Sequence, residues 1–288
     1  MLLAAIALMA TNDILAATDP GAPQSRFAEL DGLKIHYTNY GDAPFAVVFV
    51  HGWSCDETVW DKQGAALVRQ NVRALTIDLP GHGQSDKPRI AYTMDLYARA
   101  IDAVMRDAGV EKAVLVGHSN GTPAIRQFYR HYSAKVGALV IADGKLRAFA
   151  DAAAMEKFIA PLRGSDYATA AGTIIESMTK PIANAAMRKR IKTMMLNTPQ
   201  HVAVSEFEST LDPELWEPDP INVPVLMILA KSPMWNTEYE QFARSIAPQL
   251  DYQVWDNVSH FLMMEKPREF TKTVVAFMRK HLLLPERS

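Results

Sequence analysis

The stretch that most constrains how this chain can fold is residues 113–121, whose sequence is AVLVGHSNG. A short apolar run ends at Gly117, Ser119 follows two residues later, and a helix-compatible segment begins directly after Gly121. This order predicts a strand, a sharp turn and a helix, with Ser119 at the apex of the turn. So tight a turn brings backbone against backbone, and the two glycines leave the room that it needs. Pro123 falls in the first helical turn, where its missing N–H costs no hydrogen bond.

A serine in this position is a candidate nucleophile. Its hydroxyl projects from the end of a strand, above the positive end of a helix, where negative charge is stabilised. Gly-x-Ser-x-Gly alone is a weak pattern, since glycines beside a serine usually mark only a turn. The apolar strand before the serine and the helix after it favour the nucleophile, which then requires a base, an acid and oxyanion donors elsewhere in the chain.

The composition is that of an ordinary globular domain. The chain has 288 residues, 49% of them hydrophobic and 22% charged, which fits one domain with room for an inserted subdomain. A net charge of −2 indicates neither a nucleic-acid footprint nor a basic membrane patch, so we expect a small, largely uncharged molecule as the partner. The single cysteine, Cys55, excludes an internal disulfide, and eight histidines without zinc-type spacing predict no metal site.

Residues 1–24 are predicted to be an N-terminal extension. The apolar run from Leu2 to Ala10 is too short to span a bilayer, so no stable membrane insertion is expected. Residues 16–20 fit a signal-peptidase site, but no Lys or Arg precedes Arg26. A signal peptide and an amphipathic arm both fit the segment. We predict export to the periplasm or the medium, with the cytoplasm as the alternative.

Strand-like runs alternate with helix-like segments along most of the chain. Alternating segments on either side of Asp31-Gly32 predict an antiparallel hairpin at one edge of a sheet. The continuous apolar run at 45–50 is typical of a parallel strand buried on both faces, and further strands are predicted at 72–77, 113–116, 136–142, 225–230 and 252–255. This order predicts an α/β fold whose mostly parallel sheet is covered by helices on both faces.

Residues 145–222 break the alternation. They are largely helical in pattern, rich in methionine, and end in a proline-rich stretch. We therefore predict that residues 25–144 and 223–288 form the core, and that residues 145–222 form an inserted helical cap.

Polar and aromatic residues follow the predicted strands, at Trp53, Asp78, Ser119, Asp143 and His260. Since ligands of parallel sheets bind beyond the carboxyl ends of the strands, these residues are expected to crowd one edge.

His260 is the predicted base. It lies in the loop 256–262, between the last strand and the last helix, and follows Ser119 in chain order as a base does in this arrangement. The other strand-end histidines sit beside glycines and are assigned no proton transfer; they are His51, His82 and His118.

The predicted acid is Asp143, which directly follows the strand 136–142. Such an acid fixes the tautomer of the base and stabilises the imidazolium. The loop after the strand 225–230 holds no carboxylate until Glu238, which is the second candidate. A purely structural alternative is that Asp143 only forms a turn with Gly144, since Asp-Gly is a common turn pair.

Acyl transfer also needs two donors for the tetrahedral oxyanion. The backbone N–H of Asn120, directly after the candidate nucleophile, is the first. The turn His51-Gly52-Trp53 supplies the second, and we assign it to the backbone N–H of Trp53.

Four motifs together resemble those of the α/β-hydrolase superfamily. They are His51-Gly52-Trp53 with Trp60 soon after, DLPGHGQSD at 78–86, GHSNG at 117–121, and VSHF at 258–261 leading into Glu265-Lys266-Pro267. The resemblance spans the chain from about residue 25 to 280. It implies an eight-stranded sheet, a triad of serine, acid and histidine, an oxyanion hole of the kind just described, and no cofactor.

The chain departs from the common family pattern at the acid. Most members place an aspartate after the seventh strand, where residues 231–236 hold none. A minority, including some dehalogenases and lactone hydrolases, place it after the sixth strand, which is where Asp143 lies. Dehalogenases and epoxide hydrolases use an aspartate at the position of Ser119, so the serine argues against their chemistry.

The sequence therefore predicts a serine hydrolase that cleaves a carboxylic ester or lactone of a small, mainly apolar substrate through an acyl-enzyme. Other chemistry with the same triad is an alternative: perhydrolase, acyltransferase or carbon–carbon bond hydrolase. A third alternative is a slow-turnover ligand receptor on a hydrolase scaffold. Steady turnover would favour an enzyme, whereas a single stoichiometric burst would favour a receptor.

Overall fold

The computed structural model describes residues 22–148 and 150–284. The predicted N-terminal extension, with its signal-peptide interpretation, lies outside the described residues except for its last three positions.

An eight-stranded sheet forms the centre of the molecule, with the order β1-β2-β4-β3-β5-β6-β7-β8. The strands are β1 (Gln24–Leu30), β2 (Leu33–Tyr40), β3 (Ala46–Val50), β4 (Arg73–Ile77), β5 (Ala113–His118), β6 (Val136–Ala142), β7 (Val225–Ala230) and β8 (Leu250–Trp255). β2 runs antiparallel to both of its neighbours, and β3 to β8 pair in parallel. The predicted mostly parallel α/β sheet with an antiparallel edge is confirmed.

Ten α-helices of the described residues flank or extend this sheet. They are α1 (Asp61–Val68), α2 (Met94–Asp107), α3 (Gly121–Tyr132), α4 (Ala152–Ile159), α5 (Tyr167–Thr179), α6 (Ala185–Leu196), α7 (Gln200–Ser209), α8 (Thr237–Ile246), α9 (Leu262–Glu265) and α10 (Pro267–Lys280). The apolar faces of α2, α3 and α8 pack in the core on one side of the sheet, and those of α1 and α10 pack in the core on the other. None of the described helices is both long and apolar enough to cross a bilayer.

Four helices, α4 to α7, lie between β6 and β7 and make up the inserted segment, which we define as residues 150–222. Buried side chains of this segment, such as Ile175 and Ile191, join the same core as α1 and α10. The inserted segment therefore packs on the sheet domain through apolar contacts rather than through surface charges alone.

Local signals in the sequence account for the element boundaries. Asp31 and Gly32 both have positive φ, 52° and 83°, as the tight turn of a hairpin requires. The Thr93 hydroxyl accepts the N–H of Leu96 at 3.1 Å and caps α2, and Gly109, with a φ of 65°, follows its end. β3, β5, β6 and β7 are buried along their whole length, which is why each is a continuous apolar run.

Candidate active site

Ser119 occupies the sharp turn between β5 and α3. Its φ is 52°, a left-handed conformation that is uncommon for a residue other than glycine. A Cβ on Gly117 would lie 2.6 Å from the carbonyl oxygen of Gly121, and a Cβ on Gly121 would lie 2.6 Å from that of His51. Both glycines are therefore required by the close approach of backbone that the sequence predicts.

Asp143 and His260 meet at the carboxyl edge of the sheet. His260 Nδ1 lies 2.7 Å from Asp143 Oδ2, although 117 residues separate them in sequence. Because an ionised carboxylate only accepts, Nδ1 carries the proton and donates it, which leaves Nε2 with a free lone pair. His260 thus has the tautomer that a general base requires.

The second oxygen of Asp143 is also occupied. Asp143 Oδ1 accepts the backbone N–H of Ala230, at the end of β7, at 2.8 Å. The carboxylate is therefore fixed in orientation between β7 and His260. Glu238, the other candidate acid, instead pairs with Arg147 at 3.0 Å and has a 74% exposed side chain.

Ser119 adjoins this pair through its neighbour in sequence. His118 Nε2 donates to the carbonyl oxygen of His260 at 2.8 Å, and the two imidazole rings lie 4.7 Å apart. In the part of the chain that the structure describes, the Ser119 hydroxyl makes no hydrogen bond to His260. In unliganded active sites such bonds are often long and tighten only when substrate binds.

The turn that holds Trp53 packs directly on the serine. A Cβ on Gly52 would lie 2.8 Å from Ser119 Cβ and 2.9 Å from the carbonyl oxygen of His118. Within residues 22–148 and 150–284, the backbone N–H groups of Trp53 and Asn120 donate to no protein acceptor. Asn120 follows Ser119 in sequence and Trp53 follows the glycine that packs on it, so both unpaired N–H groups remain candidates for the predicted oxyanion site.

The histidines that were assigned no proton transfer are buried. Burial and the neighbouring His82 lower the pKa of His51 to about 4. Burial and the neighbouring His260 hold the pKa of His118 well below its ordinary value. His51 Nε2 accepts the backbone N–H of Leu79 at 3.1 Å, so this ring joins two strand-end loops.

Asp78, which also follows a strand, does not reach His260. Its carboxylate lies 2.8 Å from His36 Nδ1 and accepts the backbone N–H groups of Glu57 and Gln84, each at 2.8 Å. The other ring nitrogen of His36 accepts the hydroxyl of Ser25 at 2.8 Å. Burial alone would raise the pKa of Asp78, but these hydrogen bonds outweigh it and hold the pKa below its ordinary value.

The described residues offer neither a metal centre nor a thiol nucleophile. In residues 22–148 and 150–284, no group of three or more His, Cys, Asp or Glu side chains is placed to hold a metal ion. Cys55 is buried, and burial raises the pKa of its thiol well above its usual value, so little thiolate forms at neutral pH.

One polar residue beside the sharp turn at Ser119, which we call the elbow, has no counterpart in the sequence prediction. Glu206, in α7, is 1% exposed and accepts the side-chain N–H of Asn120 at 3.1 Å. Glutamates in a helix of mixed composition, such as Glu206 and Glu208 in α7, are typical of a solvated face, so the pattern gives no signal of this contact.

The chain matches one protein family over most of its length and individual curated relatives over a shorter stretch. A model described as "Alpha/beta hydrolase family" matches residues 47–273. A bifunctional esterase/perhydrolase of Acinetobacter calcoaceticus is 36% identical over 104 residues, which are 35% of this chain and 37% of that relative. An AB hydrolase superfamily protein of Bacillus subtilis is 35% identical over 104 residues, 36% of this chain and 39% of the relative. The chain thus spans less than two fifths of the length of these curated relatives.

Solved structures match over most of the chain. An N-acyl homoserine lactone degrading enzyme superposes with a TM-score of 0.74 at 26% identity, over 88% of this chain and 100% of that one. A thermophilic esterase from Thermogutta terrifontis superposes with a TM-score of 0.77 at 22% identity, over 90% and 99% of the two chains. At this level of identity the esterase shows a shared fold.

Proposed function

This chain belongs to the alpha/beta hydrolase family, and we propose that it is a serine hydrolase that cleaves a carboxylic ester or lactone of a small, mainly apolar molecule. The observation that carries the proposal is the 2.7 Å contact between Asp143 and His260 beside the elbow serine. A related bifunctional esterase/perhydrolase and a similar lactone-degrading structure support the same class of bond.

In the proposed acylation, Ser119 Oγ attacks the carbonyl carbon while His260 Nε2 takes the hydroxyl proton. The Asp143 carboxylate stabilises the imidazolium and holds its orientation. The carbonyl oxygen becomes an oxyanion between the N–H groups of Trp53 and Asn120, each worth about 10²-fold to 10³-fold in rate. When the C–O bond breaks, His260 returns the proton to the departing alkoxide.

Deacylation repeats these roles with water. His260 takes a proton from the attacking water, a second tetrahedral oxyanion forms in the same place, and Ser119 leaves with the proton. The carboxylic acid is released and the enzyme is regenerated. For a lactone, the acid and the alcohol remain in one ring-opened product.

Perhydrolysis is a second candidate because the Acinetobacter calcoaceticus relative is described as an esterase/perhydrolase. Hydrogen peroxide would replace water as the attacking nucleophile, and the acyl-enzyme would release a peracid. Both activities share the acyl-enzyme and differ only in the acceptor.

Release of p-nitrophenol from acyl esters of increasing chain length tests the proposal, with proton release from a series of lactones measured in parallel. We expect sustained turnover by the parent protein and none above background by Ser119→Ala. A single burst without turnover would support a receptor instead. Turnover that survives Ser119→Ala would overturn the assignment of the nucleophile.

A further inference from the structure

Helix α7 of the inserted segment contacts the turn that holds Trp53. The indole Nε1–H of Trp53 donates to the carbonyl oxygen of Ala203 at 2.9 Å. The same indole stacks on Phe207, with the ring centres 4.6 Å apart. Trp53, which is proposed to supply one oxyanion donor, therefore contacts α7 through a hydrogen bond and a stacked ring.

The same helix also holds the other proposed donor residue. Asn120 Nδ2 donates to Glu206 Oε1 at 3.1 Å, and both residues are buried. Glu206 lies three residues after Ala203 and one before Phe207, so a single turn of α7 reaches both sides of the elbow.

The second oxygen of Glu206 faces a histidine. Glu206 Oε2 lies 3.3 Å from His82 Nε2, and both side chains are almost fully buried. His82 Nδ1 lies 3.1 Å from the carbonyl oxygen of Pro80, which only accepts, so Nδ1 carries a proton. Nε2 of His82 is therefore the ring atom that faces the glutamate.

We propose that Glu206 is a positioning residue that aligns the oxyanion donors by holding the Asn120 side chain, with Trp53 fastened to the same helix. The inference rests on the proposed function, since it assigns a role within the same oxyanion site. The hydrogen bond to the Asn120 side chain restricts the position of the Asn120 Cα, and therefore the direction of the Asn120 backbone N–H. Misplacement of such a group by about 1 Å can cost about 10²-fold in rate.

The structure supplies a matched control for this role within α7. Gln200 Nε2 donates to the carbonyl oxygens of Leu162 and Gly164, both at 2.8 Å and both within the inserted segment. Gln200→Ala therefore loosens α7 without touching either donor residue.

The experiment compares kcat and KM of Glu206→Leu, Glu206→Gln and Gln200→Ala with those of the parent on one p-nitrophenyl ester, alongside thermal stability. Glu206→Leu should lower kcat about 10-fold to 100-fold with KM changed less than about twofold, because the donors act on the transition state. Glu206→Gln should restore most of the rate, since the amide oxygen can still accept the side-chain N–H of Asn120. Gln200→Ala should change stability but not kcat.

A double-mutant cycle with Asn120→Ala sharpens the result. Asn120→Ala keeps the backbone N–H and loses only the hydrogen bond to Glu206, so it should lower kcat about as much as Glu206→Leu. The double variant should then be no slower than either single one. Additive losses would overturn the coupling through this contact.

The rate of Ser119 labelling by a fluorophosphonate separates failure of this inference from failure of the proposed function. A parent that hydrolyses esters or takes up the label, with Glu206→Leu equally fast, overturns the positioning role alone. Equal losses of kcat in Glu206→Leu and Gln200→Ala would also overturn it, by showing a merely structural effect. A parent that neither hydrolyses the esters nor reacts with the label would overturn both proposals.

Discussion

The Asp143–His260 pair and the Asp78–His36 pair have almost the same geometry and different surroundings. The carboxylate to Nδ1 distances are 2.7 Å and 2.8 Å. His260 is 21% exposed, whereas His36 is fully buried. His36 also receives a serine hydroxyl on its second nitrogen, from Ser25 at 2.8 Å, so on hydrogen bonds alone it forms the more complete serine–histidine–aspartate relay.

The backbone at the two serines separates these sites. Ser25 lies within β1, the edge strand of the sheet, in regular pairing with β2. Ser119 stands in a left-handed turn at the start of α3, and among the described residues the backbone N–H groups of Asn120 and Trp53 have no protein acceptor. Hydrogen bonds from serine to histidine to aspartate activate a hydroxyl. Acyl transfer also requires that the serine stand in a sharp turn beside donors for the oxyanion. Side-chain contacts alone therefore do not identify a nucleophile.

The largest expected effect comes from removing each serine in turn. Ser119→Ala should lower kcat by about 10⁶-fold, the loss typical of a missing nucleophile in a triad. Ser25→Ala should leave kcat unchanged within about twofold. Mass spectrometry after fluorophosphonate treatment should find one label per parent chain, one on Ser25→Ala and none on Ser119→Ala. A label on Ser25 would show that this serine also acts as a nucleophile.

Removing the charge of the acid should have the next largest effect. Asp143→Asn should lower kcat by about 10⁴-fold, since the neutral amide no longer selects the required histidine tautomer. Glu238→Gln serves as the control, because Glu238 pairs with Arg147 on the surface, and its kcat should match that of the parent. Loss of rate in Glu238→Gln with a normal Asp143→Asn would reverse the assignment of the acid.

Much of this site was predictable because its residues lie where strands end. Glycines around Ser119 and a strand that stops at Asp143 are local signals, and parallel strands bring their carboxyl ends to one edge. The spacing of carboxylates in the two loops favours Asp143 over Glu238 as the acid. In the structure, Asp143 Oδ2 lies 2.7 Å from His260 Nδ1.

Contacts that depend on packing were not predictable in the same way. Glu206 meets Asn120 only because α7 docks on the elbow, and 86 residues separate the two. The Ser25 contact with His36 depends on hairpin register together with a ring orientation set by Asp78. Sequence periodicity reports which face of an element is buried, but not which element covers it.

Loss of the Asp78–His36 pair should lower stability and leave the rate unchanged. Asp78→Ala removes the acceptor of three hydrogen bonds and leaves the Nδ1–H of His36 and two backbone N–H groups unpaired in the interior. Breaking a buried pair in this way costs about 3 to 5 kcal/mol of unfolding free energy. Urea denaturation should show this loss, with kcat per folded molecule unchanged. Lost rate without lost stability would assign Asp78 to the chemistry.

Acid should reveal the smallest effect, through the same carboxylate. Because the pKa of Asp78 is lower in the folded protein than the value of about 3.9 in unfolded chains, the folded state holds the proton less tightly. The resulting stability is present above about pH 4 and is lost as the pH falls through the folded pKa. Below about pH 4 the unfolding free energy of the parent should therefore fall more steeply with acid than that of Asp78→Asn, which has no proton to bind.

Urea titrations of both proteins at several pH values measure the two slopes. Equal slopes would show that the three hydrogen bonds to Asp78 do not favour its ionised form, and the contrast with Asp143 would then rest on backbone geometry alone.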